Sequence, residues 1–181
     1  MSNSLDDAEI HRIVQNVVQN VMGSTVHEPG GKKIVAIGAD HGGVELKEAL
    51  KSDISTLGFE VSDVGTNSKD AVDYPDFAHA VAHLVGTGKA WRGIMIDGAG
   101  IGSCIVANKV PGVRAGMAYD ISSANNSREH NDTNVLTLGA GLIGVALAKQ
   151  IVKVWLTTEF AGGRHSPRVD KIMAVEKKYL K

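Results

Sequence analysis

Five short apolar runs, each followed by a stretch of helical character, constrain this chain more than any other feature. They lie at 34–37, 59–64, 93–96, 114–118 and 135–138. Helical stretches follow at 44–57, from Pro75 through Leu84, and at 103–109, 122–129, 142–156 and 168–180. Strands this short and this continuously apolar imply burial on both faces, and strand–helix alternation implies parallel pairing. The fold expected is α/β: a three-layer sandwich with a five-stranded parallel sheet, Rossmann-like in plan. With 43% hydrophobic residues but only 4% aromatic ones, its core must be aliphatic. Ligands of such sheets bind beyond the carboxyl ends of the strands. Here those ends carry Asp40-His41, Asp97 and Tyr119-Asp120.

The first 32 residues follow another pattern. Ile10, Ile13, Val14, Val17, Val18, Val21 and Met22 recur at three- and four-residue spacing, which predicts an amphipathic helix over 5–22. Asp6, Asp7 and Glu9 suit its positive end, and Gly23 can stop it. Pro29, Gly30 and Gly31 mark a linker. The organisation read from these breaks is a helix at 1–23, a linker at 24–32 and a domain at 33–181.

Charge and cysteine content exclude several classes. A formal net charge of −1 gives no basic stripe for nucleic acid. The single cysteine, Cys104, rules out an internal disulfide and a CxxC metal site. No apolar run approaches the roughly 20 residues that span a bilayer. The expectation is a soluble cytoplasmic protein without a membrane or nucleic-acid partner.

The richest chemistry lies at Ile94-Met95-Ile96-Asp97-Gly98-Ala99-Gly100-Ile101-Gly102-Ser103. Glycines at Gly98, Gly100 and Gly102 let backbone N–H groups face an anion ahead of a helix N-terminus. Asp97 stands where a base and an anion hole could converge. Gly38-Ala39-Asp40-His41-Gly42-Gly43 reads either as a turn with Asp40 as a cap or as a ligand loop. Ser127-Arg128-Glu129-His130-Asn131-Asp132 reads plainly as a solvated helix end, but His130 suits proton transfer near neutrality. Gly162-Gly163-Arg164-His165-Ser166-Pro167-Arg168 could be an ordinary charged loop, or a phosphate grip through Arg164 and Arg168. Cys104, at the start of an apolar helix, reads as a packed thiol.

Taken in order, these motifs resemble the ribose-5-phosphate isomerase B and galactose-6-phosphate isomerase family. Asp73-Tyr74-Pro75-Asp76 and Ala107-Asn108-Lys109-Val110-Pro111-Gly112 complete the set, and the resemblance runs from about Lys33 to about Ala174. It implies an aldose–ketose isomerase of a phosphorylated sugar, ribose 5-phosphate and ribulose 5-phosphate first, needing neither metal nor cofactor. It places Asp40 and His41 in the site, gives ring opening to His130 and sugar hydroxyls to Asn131, and assigns the phosphate to Arg164 and Arg168. Gly98, Gly100, Gly102 and Ser103 would line the enediolate pocket. Homodimers or homotetramers with shared sites are implied too. The N-terminal helix resembles the encapsulation peptides that carry cargo into bacterial microcompartments, and 5–22 would then dock on a shell protein. The alternative for that helix is packing on its own domain or on a partner helix.

Three positions depart from the family pattern. Many members have a cysteine base where Asp97 stands, and another branch has a glutamate where Ser103 stands. Ala99 replaces a common Thr or Ser, and Gly141 replaces a common arginine. The reading favoured is isomerisation with Asp97 as base. An isomerase of a tetrose or hexose phosphate using another base, and a non-catalytic sugar-phosphate binder, stay open at this point.

Overall fold

Strands and helices alternate through residues 32–180, the part of the chain that the computed structural model describes. The helix expected over 5–22 and the linker up to Gly31 lie outside the described residues. The elements are β1 (Ile34–Ala39), α1 (Val44–Thr56), β2 (Glu60–Asp63), α2 (Tyr74–Gly86), β3 (Arg92–Asp97) and α3 (Ile101–Ala107). They continue as β4 (Ala115–Met117), α4 (Ile121–Glu129), β5 (Val135–Gly139), α5 (Val145–Thr157), a 3-10 turn (Gly163–His165) and α6 (Ser166–Tyr179).

All strand pairs are parallel, in the order β2-β1-β3-β5-β4. The chain leaves β1 towards one edge and β3 towards the other. Their carboxyl ends therefore flank the point where strand order reverses, which is where open sheets of this kind place ligands. Alternate residues feed two cores. Ile37, Ile94, Ile96, Leu136 and Leu138 pack with Leu50, Ile54, Ile151 and Trp155 of α1 and α5. Ala36, Met95 and Val135 pack with Ala78, Val81, Ala82 and Val85 of α2 and with Ala107 of α3. The three layers anticipated from the sequence are present, and the core is aliphatic apart from Trp155. Among the described residues no helix is long and apolar enough to cross a membrane.

The element boundaries that differ from expectation are set by local chemistry. β3 runs on to Asp97, so the carboxylate belongs to the strand itself. α3 starts at Ile101, directly after Gly100, whose φ of +79° is left-handed and open chiefly to glycine. α5 starts at Val145 because residues 140–144 turn back on the sheet, with Ala140 N–H donating to Asp97 O (2.8 Å) and Leu142 N–H to Gly139 O (3.0 Å). α6 starts at Ser166, two residues before the expected position. Pro167 sits in its first turn, where a missing N–H breaks no helical bond.

Candidate active site

β3 delivers Asp97 to the sheet's carboxyl end with its side chain on the α3 face, and the glycine loop closes around it. Oδ1 accepts from the N–H groups of Ala99 (2.8 Å) and Gly100. Oδ2 accepts from the N–H (3.2 Å) and the hydroxyl of Ser103. Only 5% of Asp97 is exposed, and Ser103 is fully buried. Every lone-pair direction of this carboxylate is thus met by its own loop. Ser103 reaches any ligand through Asp97 rather than by direct contact, and Gly100 contributes its conformation rather than a free donor. Asp97 leaves untaken the N–H groups of Gly98, Ile101 and Gly102.

Two tyrosines that the sequence reading did not assign to the site fix this loop. The Tyr119 hydroxyl donates to Ala99 O (3.0 Å). The Tyr74 ring lies flush on Gly102, where an added Cβ would stand 2.5 Å from its hydroxyl oxygen. Close approach therefore explains that glycine, beyond any role as a donor.

β1 delivers the neighbouring loop. Asp40 is buried, and its Oδ1 accepts from Gly42 N–H (3.0 Å) and Gly43 N–H (3.1 Å), which closes the turn ahead of α1. The cap residue of that helix is Gly43, with no side-chain cap bond, so Asp40 orders the loop rather than capping the helix as the sequence suggested. Asp40 N–H donates to Ile96 O (3.2 Å), tying this loop to β3. His41 is exposed, with Nδ1 3.2 Å from both N and O of Val72 in the crossing loop that precedes α2. Asp40, His41, Asp97 and the Gly98–Gly102 backbone therefore form one group at the carboxyl end.

The remaining predicted residues form a second group elsewhere. α4 ends at Glu129, and Ala161 N–H donates to Glu129 O (3.1 Å), bringing the Gly162–Arg168 segment beside His130. The His130 and His165 rings stack at 4.1 Å with 9° between planes. Arg164 Nε donates to His165 Nε2 (3.3 Å). Arg164, Arg168 and Asn131 are exposed, whereas His165 is 6% exposed. Burial, followed by the positive groups His130, Arg164 and Arg168, lowers the His165 pKa below its ordinary value. Arg128 locks the end of α4 by donating to Thr133 O and pairing with Asp132 (2.9 Å).

The two groups lie at opposite ends of the sheet. Asp97 pairs in register with Gly139, the last residue of β5, whereas His130 and Asn131 precede Val135, its first. A five-residue strand spans about 13 Å. One copy of the chain therefore cannot close its own His130 and arginines over its own Asp97.

Cys104 is half-buried; burial raises its thiol pKa, and Sγ lies 3.6 Å from Ala115 O, in keeping with packing. At Gly141, N–H donates to Gly98 O (3.0 Å), so the backbone there braces the glycine loop. Among the described residues no three His, Cys, Asp or Glu side chains gather as a metal set would.

Comparison with known proteins bears on the chain as a whole. A family model described as Ribose/Galactose Isomerase matches residues 35–172. Ribose-5-phosphate isomerase B of Escherichia coli is 44% identical over 146 residues, covering 81% of this chain and 98% of that protein. D-erythrulose-4-phosphate isomerase of Pectobacterium atrosepticum is 43% identical over 139 residues, covering 76% and 91%. The solved structure of Clostridium thermocellum ribose-5-phosphate isomerase B superposes with a TM-score of 0.79 at 49% identity, covering 81% of this chain and 99% of that one.

Proposed function

The chain belongs to the ribose/galactose isomerase family, and we propose that within it the protein interconverts ribose 5-phosphate and ribulose 5-phosphate. It is an aldose–ketose isomerase acting on a sugar phosphate. The observation that carries the site assignment is the split of the functional side chains between the two ends of the sheet. A site that joins them takes Asp40, His41, Asp97 and the glycine loop from one copy, and His130, Asn131, Arg164 and Arg168 from a second.

In this reading Arg164 and Arg168 hold the phosphate with His41 assisting, and Asn131 holds sugar hydroxyls. Ring opening breaks the bond between C1 and the ring oxygen. The anomeric hydroxyl passes its proton to solvent water, the ring oxygen takes one from His130, and solvent returns a proton to His130, so the step is proton-neutral. Asp97 then takes the C2 proton and returns it at C1, while the hydroxyl proton passes from O2 to O1. The developing enediolate oxygen meets the N–H groups of Gly98 and Gly102. Oδ2 is the reacting oxygen of Asp97, because its hydroxyl partner on Ser103 can rotate away while two backbone N–H groups pin Oδ1.

The relative acting on a tetrose phosphate supplies the second reading, and chemistry separates the two. A tetrose 4-phosphate carries phosphate on the oxygen that would close a furanose ring, so it reaches the site open-chain. His130→Asn should lower turnover of ribose 5-phosphate by about 10²–10⁴-fold, the range for a lost proton donor. The same variant should spare erythrulose 4-phosphate. Turnover of the tetrose alone by the unaltered protein would make it the substrate.

The segment 5–22 is proposed as a targeting helix for a microcompartment shell, on its apolar stripe and the Pro-Gly-Gly linker that follows. A fluorescent protein fused to residues 1–32 should co-purify with shells, and a diffuse distribution would remove the assignment.

A further inference from the structure

The proposed acid of ring opening, His130, does not stand alone. Asn126, one turn earlier on α4, places its Nδ2 2.8 Å from His130 Nδ1. An amide N–H₂ only donates, so Nδ1 must accept and the ring proton must sit on Nε2. His165 is stacked against the same ring at 4.1 Å. Arg164 Nε, which also only donates, meets His165 Nε2 at 3.3 Å. That contact requires a neutral His165 with its proton on Nδ1. Two imidazoles stacked at this distance disfavour a charge on both. The remaining charged groups around His165 are Glu129, Arg164 and Arg168, and the two arginines oppose a second positive charge there.

We infer that Asn126 and His165 are positioning residues that hold His130 as the Nε2–H tautomer, while Arg164 holds His165 as the opposite, Nδ1–H tautomer. The ligand-facing nitrogen of His130 is then a donor by construction. At rest it donates to a sugar oxygen, and it can accept a proton there only after giving its own away. The consequence for the reaction rests on the assignment of His130 to ring opening; the tautomers themselves do not. Nothing in the sequence around Asn126 announced this role, because the i,i+4 contact with His130 matters only once His130 is known to face a ligand.

Nitrogen-15 labelling of histidine in the full-length protein tests the inference directly. Two-bond proton–nitrogen correlation at about pH 8, above the ordinary histidine range, separates protonated from unprotonated ring nitrogens. The expected pattern is a protonated Nε2 in His130 and a protonated Nδ1 in His165. Asn126→Asp puts an acceptor-only group against Nδ1 and should move the His130 proton there. Turnover of a cyclic aldose phosphate should then fall by about 10²–10⁴-fold at that pH, with the His165 signals unchanged. A protonated Nδ1 in His130 of the unaltered protein, or an Asn126→Asp protein with the original tautomer, overturns the inference. The stated tautomers in a protein that turns over no sugar phosphate would uphold it and remove the functional reading instead.

Discussion

At Asp97 one set of hydrogen bonds both closes a loop and selects the oxygen that can react. A base needs a free lone pair, and the Ser103 hydroxyl is the one partner of this carboxylate able to leave without moving backbone. His165 contributes in the opposite sense, through a proton it does not bind. Its folded pKa lies below the ordinary 6.5, chiefly through burial, so the unfolded chain binds more protons near and below that value. Stability should therefore rise with pH through this window and be lost as pH falls. Denaturation midpoints should drop between about pH 7 and pH 5, and drop less in His165→Phe, which keeps the stack. Equal drops in both proteins would assign the acid sensitivity to other groups. As candidates, Asp97 was legible in the sequence because a lone carboxylate ends an apolar run ahead of a glycine loop, and His130, Arg164 and Arg168 because each lies in a cluster of polar and ionisable residues at an element end. Tyr74 and Tyr119 stood out only as a motif member and a strand-end residue; their hold on the glycine loop was not legible, since it acts on residues distant in sequence through packing and one backbone bond.

At the scale of elements, the loop between β2 and α2 is held at both ends over the site. Lys47 of α1 is fully buried, and its Nζ lies 2.9 and 2.8 Å from the two carboxylate oxygens of Asp63 and 3.0 Å from both Thr66 O and Asn67 Oδ1. Thr66 N–H then donates to Ala39 O (3.0 Å), and His41 meets Val72 near the loop's other end. Without Lys47, Asp63 keeps Lys51 (2.9 Å) as a partner, but Thr66 O and Asn67 Oδ1 lose their buried donor. Lys47→Met should cost about 1–3 kcal/mol for each acceptor so orphaned in urea unfolding. A cost below about 1 kcal/mol, the value of a surface pair, would show that the knot does not hold the loop. Helical periodicity located α1 but could not mark Lys47 as buried, because the carboxylate that meets it arrives 16 residues later in the chain. Strand order was beyond the sequence for a similar reason. Alternation gives parallel pairing, whereas neighbours such as β3 and β5 are chosen by the crossovers between them.

At the scale of the whole molecule, the carboxyl-end loops are bordered by exposed apolar side chains. Ile101, Ile105, Leu142 and Val145 are 52%, 58%, 59% and 46% exposed. Such a patch suits a protein partner, and the proposed shared site makes that partner a second copy. The sheet and its helices close two cores using residues from Lys32 onward, so deletion of residues 2–30 should leave a cooperative thermal transition and an unchanged oligomer. An aggregated or monomeric truncation would tie the N-terminal segment to the fold. The central claim, a site built from two copies, is tested most directly by mixing two inactive variants. Asp97→Asn and His130→Asn should each be inactive towards ribose 5-phosphate. Unfolded together in equal amounts and refolded, half of the dimers would carry one of each chain, with one doubly altered site and one intact site. The account predicts that about a quarter of the unaltered protein's turnover returns, the statistical value for a two-fold dimer. A refolded mixture that stays as inactive as its components would place Asp97 and His130 in one chain's site and contradict the account.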